Sequence, residues 1–387
     1  IYMRFADNRN KIGKYIPAVV FLIFIYGMAL WFIFSPKPDY SSSEKRYLQK
    51  FPEVTAEKLL SGDFGSEFET FFADRFPQRN TWVGLNAYTA LAEGNNGASG
   101  VYNCKNGYLI NKPVSIENNL DKNIGAVADF AKSIDTPTTV MLVPSTGYIV
   151  DDVLPTFHDK YNDDEDISKI SSTLSKDKIG FVDLRERFKS EYKNGSQLYY
   201  KTDHHWTTKG AYTGYQELCK ALGITPIDDS TLKKDSYPDF YGTTYSSSGF
   251  WLTPPDNIEI WNNPKNSDRN ISVKITEGAN IKTSGSMYFT DHLKEDDKYP
   301  VFIDGNHALT EITNTNAKNG TILLIKDSFS HSLAPFLAEN YSKVVLVDLR
   351  YYKESVSDLV TTYNPEQVVV LYGIDNLATD TDIVWLK

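Results

Sequence analysis

Two short stretches hold the residue types that proton transfer and nucleophilic attack require. Lys201-Thr202-Asp203-His204-His205-Trp206 sets a carboxylate and two imidazoles in three consecutive positions, just ahead of a helix start at Thr207 or Thr208. An Asp two residues before a His can accept its Nδ1 proton, which fixes the tautomer and leaves Nε2 to take a proton from a nucleophile. That nucleophile must come from elsewhere in the chain. Ser328, in Ile325-Lys326-Asp327-Ser328-Phe329-Ser330, stands where an apolar strand runs into a helix. Such a corner exposes the hydroxyl beside unpaired backbone N–H groups of the helix start, which can hold an oxyanion. His307 and His331 are weaker alternatives to His205 as base, His331 because it stands three residues from Ser328.

An oxyanion hole needs a second donor besides the nucleophile's own N–H. Asn306 is a candidate because Gly305 before it allows close backbone approach; an ordinary turn is the other reading. Ser145 lies in the turn Pro144-Ser145-Thr146-Gly147 after an apolar strand at 138–143. Ligands collect at the C-terminal edge of parallel strands, so Ser145 is a substrate-contact candidate, with turn chemistry as the alternative. His204 is read as a structural or exposed imidazole and Trp206 as a packing anchor.

The elements that must position these residues read as α/β. Strand 321–325, helix 330–340, strand 343–348, helix 354–363 and strand 367–371 alternate with short connections, and the strands are near-continuous Val/Ile/Leu runs. That pattern demands burial on both faces and a mostly parallel sheet with helices on both sides. A helix at 124–133 and strands at 138–143 and 179–184 extend it. The helix after Thr207 or Thr208 has an apolar face of Ala211, Tyr212, Tyr215, Leu218, Cys219 and Leu222, and Gly223 stops it. Residues 224–300 break the rhythm and read as a β-rich insertion capping the site.

The chain has 387 residues, 41% of them hydrophobic, enough for a large core. Its net charge of −10 would repel a phosphate backbone, and no dense Lys/Arg run follows the first fifteen residues, so a nucleic-acid partner is not expected. Residues 16–34 form an uncharged apolar run of about 28 Å as a helix, close to a bilayer's hydrocarbon thickness. Arg4, Arg9, Lys11 and Lys14 precede it, which predicts a basic cytoplasmic tail at 1–15, a single-pass signal anchor at 16–34 and everything after Ser35 outside the cell membrane. A cleaved signal peptide is the alternative, but the run is longer than the usual apolar region of such a peptide. A Pro/Ser-rich linker at 35–45 leads into one folded domain at 46–387. Within it, Phe64, Phe68, Phe71 and Phe72 predict a buried helix face, while Asp74, Arg75 and Arg79 either pair with one another or form a solvated set. The acidic stretch 159–166 reads as a solvated loop, since its spacing does not match a calcium loop. Cys104 and Cys219 either form a disulfide or stay as two buried thiols.

The Asp203-His204-His205-Trp206 stretch followed by Lys326-Asp327-Ser328-Phe329 resembles the DHHW-motif proteins, which are similar to the SGNH-hydrolase-like proteins of alginate and cellulose O-acetylation. The resemblance extends to the stretch from Phe68 to Arg79, to Val143-Pro144 and to Asp304-Gly305-Asn306-His307, so it spans most of the chain beyond the apolar segment. It implies an SGNH-hydrolase-like, flavodoxin-like fold with Ser328 as nucleophile, His205 and Asp203 completing the triad, and Asn306 or a neighbour as oxyanion donor. It also implies a polysaccharide acceptor and an acyl supply from a membrane-bound O-acyltransferase partner; the chemistry needs no metal or soluble cofactor. Tyr241, Tyr245, Trp251 and Trp261 then either stack on sugar rings or pack the insertion onto the core. Hydrolase relatives carry Gly where this chain has Lys326, which alters the loop approach or sets a cation beside the oxyanion. The order, Asp and His first and Ser last, is that of the acetylation proteins. The expected protein is a membrane-anchored O-acetyltransferase, with an esterase using the same triad and a non-catalytic polysaccharide-binding scaffold as rivals.

Overall fold

The computed structural model describes residues 2–114 and 119–386, with side chains from residue 14 onward. The basic side chains of Arg4, Arg9 and Lys11 therefore lie outside the described residues. The chain divides into two units, Ile1–Asn86 and Ala87–Lys387.

In the first unit a helix runs over Tyr2–Phe34, and its portion Lys14–Phe34 is long and apolar enough to cross a membrane. The chain then forms a short ribbon pairing Tyr40–Ser41 with Arg46–Tyr47, and helices at Ala56–Ser61 and Asp63–Asp74. Asp74 and Arg75 are buried; Asp74 stands 4.0 Å from Arg79 Nε, and Asp74 and Arg75 also hold the ribbon and its flanks. Asp74 accepts from Arg46 Nη1 at 2.9 Å and from the Gln49 N–H at 2.9 Å, while Arg75 donates to the Gln49 and Lys37 carbonyls at 2.8 Å each. The phenylalanine face expected to be core is half-exposed: Asp74 is the residue that helix Asp63–Asp74 buries. The spacing marks an apolar stripe correctly but cannot say what lies against it.

The second unit is built on an eight-stranded sheet. In chain order its strands are β1 (Thr138–Val143), β2 (Gly180–Asp183), β3 (Ile271–Glu277), β4 (Asn280–Ser284), β5 (Leu309–Asn314), β6 (Asn319–Lys326), β7 (Tyr341–Val347) and β8 (Gln367–Gly373). They lie in the order β4-β3-β5-β7-β6-β8-β1-β2. The five strands from β7 to β2 are mutually parallel, and β5, β3 and β4 continue the sheet antiparallel. On β6, Ile322 and Leu324 join one core and Leu323 and Ile325 the other, so both faces are buried. Helices Thr208–Leu222 and Ser330–Leu337 cover the first face; Asn119–Ser133, Asp163–Lys176 and Val356–Tyr363 cover the second. Each fully buried aliphatic side chain there contributes about 2 kcal/mol.

Part of the segment read as a cap belongs to this sheet. In β3 the buried Ile271, Val273 and Ile275 alternate with more exposed residues, the pattern of an antiparallel strand covered on one face. Lys233–Phe240 and Asp256–Asn262 form a separate ribbon, and Trp261 on it is core, packed against Tyr212 and Phe336. The acidic stretch is a helix from Asp163, in which Asp163 itself is buried. Cys104 and Cys219 are free, buried thiols, each pushed up to about 12 by burial.

Candidate active site

β6 delivers Lys326 to the C-terminal edge of the parallel strands, and Asp327-Ser328-Phe329 turn into helix Ser330–Leu337. The turn is held by Asp327, whose Oδ1 accepts the Phe329 N–H at 2.9 Å. Its Oδ2 accepts the Gly373 N–H and Asn376 Nδ2, both at 2.7 Å. The acid and base come from a tight loop in which Tyr199 bridges Trp206 and the Tyr200 N–H donates to the His205 carbonyl at 3.2 Å. Thr207 caps the helix that follows, its Oγ1 accepting the Gly210 N–H at 3.1 Å.

These two elements bring the three expected residues into one line. Ser328 Oγ lies 2.7 Å from His205 Nε2, and His205 Nδ1 lies 2.5 Å from Asp203 Oδ1. Asp203 Oδ1 also accepts the His205 N–H at 2.8 Å, and Oδ2 accepts the Thr243 N–H at 2.7 Å. Burial opposes charge on Asp203, yet His205, His204 and these donors hold its carboxyl well below the usual carboxylate range. His205 Nδ1–H therefore donates to an ionised acid, and Nε2 accepts the serine proton. Trp206 locks the halves together, its Nε1–H donating to the Phe329 carbonyl at 3.0 Å and to Ser332 Oγ at 2.9 Å. Tyr299 stacks on the His205 ring with centroids 4.0 Å apart. The donor atoms of Asp203, His204 and His205 are close enough together for a metal ion. The carboxylate, however, is saturated by N–H and O–H donors, and His205 Nε2 is engaged by the serine.

His204 meets Thr243 through Nδ1. The Thr243 hydroxyl lies 3.2 Å from the ionised Asp203 Oδ2 and 2.6 Å from His204 Nδ1. In the arrangement where the hydroxyl gives its one proton to the carboxylate, His204 Nδ1–H donates to Thr243 and Nε2 is left bare toward the cleft. Desolvation, then the adjacent His205, push the His204 imidazole down to about 4, so it is neutral. It lines a narrow cleft together with Ser145, Thr244, Phe329, Asp375 and Asn376. Among the described residues His204 Nε2 has no protein partner, and the buried Thr244 Oγ1 has none either.

The other candidates fall in different places. Ser145 reaches the cleft, with its N–H donating to Asp163 Oδ1 at 2.7 Å. The Ser328 N–H finds no acceptor among the described residues, as a first oxyanion donor requires. The Gly305 N–H is committed to the Phe302 carbonyl at 3.1 Å, and exposed Asn306 accepts from Arg350 Nη2 at 2.9 Å through Oδ1; neither contacts the serine. Lys326 is buried with Nζ 2.9 Å from Asp348 Oδ2 and 2.8 Å from His331 Nε2, so its charge is spent on that pair. His331 accepts from Lys326, and His307 contacts Glu277 and the Asp304 carbonyl, which leaves His205 as the imidazole on the serine. Thr243, Tyr299 and Asp327 were not anticipated. Only Asp327 left a local signal, as the residue that accepts the backbone N–H two positions on.

An open α/β sheet with a hydrogen-bonded serine, histidine and carboxylate at its parallel edge has the layout of a serine-nucleophile site. The chain belongs to the DHHW protein family, whose model matches residues 112–347. No curated protein matches the sequence. Among solved structures, a DHHW family protein from Eubacterium siraeum is similar at TM-score 0.62 and 17% identity, covering 74% of this chain and 95% of that one. Bacillus cereus PatB1, solved with a sulfonyl adduct, is similar at TM-score 0.61 and 21% identity, covering 74% and 97%. At these identities the likeness establishes a shared fold.

Proposed function

We propose that this protein is a membrane-anchored O-acyltransferase that acylates a cell-surface or exopolysaccharide outside the cytosol. The observation that carries the reading is the Ser328–His205–Asp203 line, at 2.7 and 2.5 Å. His205 takes the Ser328 proton as the oxygen attacks an acyl donor; the new ester bond forms, the donor's acyl bond breaks, and the proton passes to the leaving group. An acceptor hydroxyl then attacks the acyl-serine, gives its proton to His205 and releases Ser328, which recovers that proton. Asp203 stays ionised throughout. A membrane-bound O-acyltransferase partner would supply the acyl group, and Lys14–Phe34 would hold the chain beside it. The bare His204 Nε2 and the unpartnered Thr244 hydroxyl favour an acceptor with several hydroxyls over water, because a sugar can satisfy both at once. Ser145, Asp375 and Asn376 complete the cleft wall for such a ligand.

The test is transfer from an activated acetyl ester to an oligosaccharide, followed by mass spectrometry of sugar and protein. Acetylated sugar and an acetyl adduct on Ser328 are expected, and Ser328→Ala should lose at least about 10³-fold of the rate. Free acetate as the product with acceptor present would make the protein an esterase. An unimpaired Ser328→Ala would sink the triad reading.

A further inference from the structure

The first unit holds an aromatic surface that this reaction does not use. On helix Asp63–Asp74 the side chains of Phe64, Phe68, Phe71 and Phe72 share one face. They pack on one another and on Phe51: the Phe64 and Phe68 rings stack at 6.1 Å, and Phe51 meets Phe71 at 5.4 Å. Their outer sides are bare, with Phe51 57% exposed, Phe72 41% and Leu60 on the preceding helix Ala56–Ser61 90%. A soluble surface does not keep a patch of this kind without a partner.

Its position identifies the partner. Phe32 sits in the last turn of the apolar segment Lys14–Phe34, and its ring lies 4.7 Å from that of Phe72 and 6.2 Å from that of Phe71. Rings that touch the end of a bilayer-spanning helix lie at the edge of the hydrocarbon. The arrangement is pinned, because buried Arg75 donates to the Lys37 and Pro38 carbonyls at 2.8 Å and to Asp39 at 2.9 Å, in the segment that follows the span. The opposite face of the same helix carries Ser66, Thr70 and Ala73, so the element is apolar on one side and largely polar on the other, as a helix lying in a membrane surface is.

We infer that the Phe51, Phe64, Phe68, Phe71 and Phe72 cluster, with Leu60, lies in the boundary between lipid headgroups and acyl chains, so that helix Asp63–Asp74 rests on the outer membrane surface beside the spanning helix. The inference rests on Lys14–Phe34 crossing the bilayer and is independent of the chemistry at Ser328. It is tested on the full chain in phosphatidylcholine–phosphatidylglycerol vesicles, with nitroxide labels at Phe68→Cys, Leu60→Cys, Ser66→Cys and Leu22→Cys. Labels at Phe68 and Leu60 should show a several-fold higher ratio of oxygen to water-soluble nickel collisions than the label at Ser66. Leu60 lies outside the ring cluster, so its label reads the surface with every phenylalanine in place. A Leu22 label shielded from nickel, beside Phe68 and Leu60 labels as wet as Ser66, overturns the surface contact alone. A Leu22 label open to nickel overturns the anchor and this inference together.

Discussion

The Thr243 hydroxyl touches both Asp203 Oδ2 and His204 Nδ1, and where its single proton goes to Asp203 the His204 Nε2 is a bare acceptor. His204→Phe keeps a ring against Phe329 and His205 but removes the bare acceptor. The ratio of sugar acetylation to free acetate should then fall roughly three- to tenfold, the size of one neutral hydrogen bond. Taking the ratio cancels the acylation rate, so an unchanged value would leave His204 with packing alone. Asp203, His205 and Ser328 could be nominated from the sequence because a carboxylate two residues from an imidazole and a serine at a strand-to-helix corner are local patterns, and the resemblance to the DHHW-motif proteins singled them out. Tyr299 and Thr243 were not, for their contacts with His205 and Asp203 exist only once distant segments meet. Lys326 shows the converse hazard. Two residues from the serine in sequence, its ammonium is directed to Asp348 across the sheet.

Elements carry the next layer of constraint. A Cβ on Gly242 would stand 2.1 Å from the Asp203 Cβ, so any side chain there pushes the acid out of line. Gly242→Ala should cost about 1–3 kcal/mol in urea unfolding. It should also lower transfer by more than the unfolded fraction explains, because the displaced group is the one that orients His205. A variant with native stability and rate would show that the loop absorbs the methyl freely. The helix Thr208–Leu222 was readable to its ends, with Thr207 as cap and Gly223 in the left-handed conformation that stops it. β3 and β4 were less so. Their alternating, half-polar residues resemble a surface ribbon until β5 supplies the edge they extend. The phenylalanine helix failed in the other direction, because periodicity reports an apolar stripe and not whether protein covers it.

For the molecule as a whole, pH acts through a pair of carboxyls at the cleft, Asp375 in its wall and Asp163 behind it. Burial raises Asp163 to about 7 and Asp375 to about 6; Asp375 pushes Asp163 further up, and hydrogen bonds from Ser145 relieve both. Between the unfolded carboxylate value near 4 and these raised values the folded chain binds more protons than the unfolded one, so this contribution to stability is full at acid pH and is lost as pH rises through about 7. Asp163→Asn should flatten that slope and stabilise the chain at about pH 8 by about 1–4 kcal/mol, read as urea midpoints at about pH 5 and about pH 8. A slope like that of the unaltered chain would remove Asp163 from the account. The α/β alternation was legible at this scale since both-face burial writes itself as unbroken Val/Ile/Leu runs, whereas a buried acid within an acidic stretch leaves no mark. The sheet order has one more consequence. β6, which delivers Ser328, lies between β7 and β8, and β8 closes against β1. During synthesis the strand bearing the serine gains both neighbours only after residue 373 has emerged. The nascent chain thus carries its imidazole and carboxylate well before Ser328 is held beside them, and the line from Asp203 to Ser328 waits for β8.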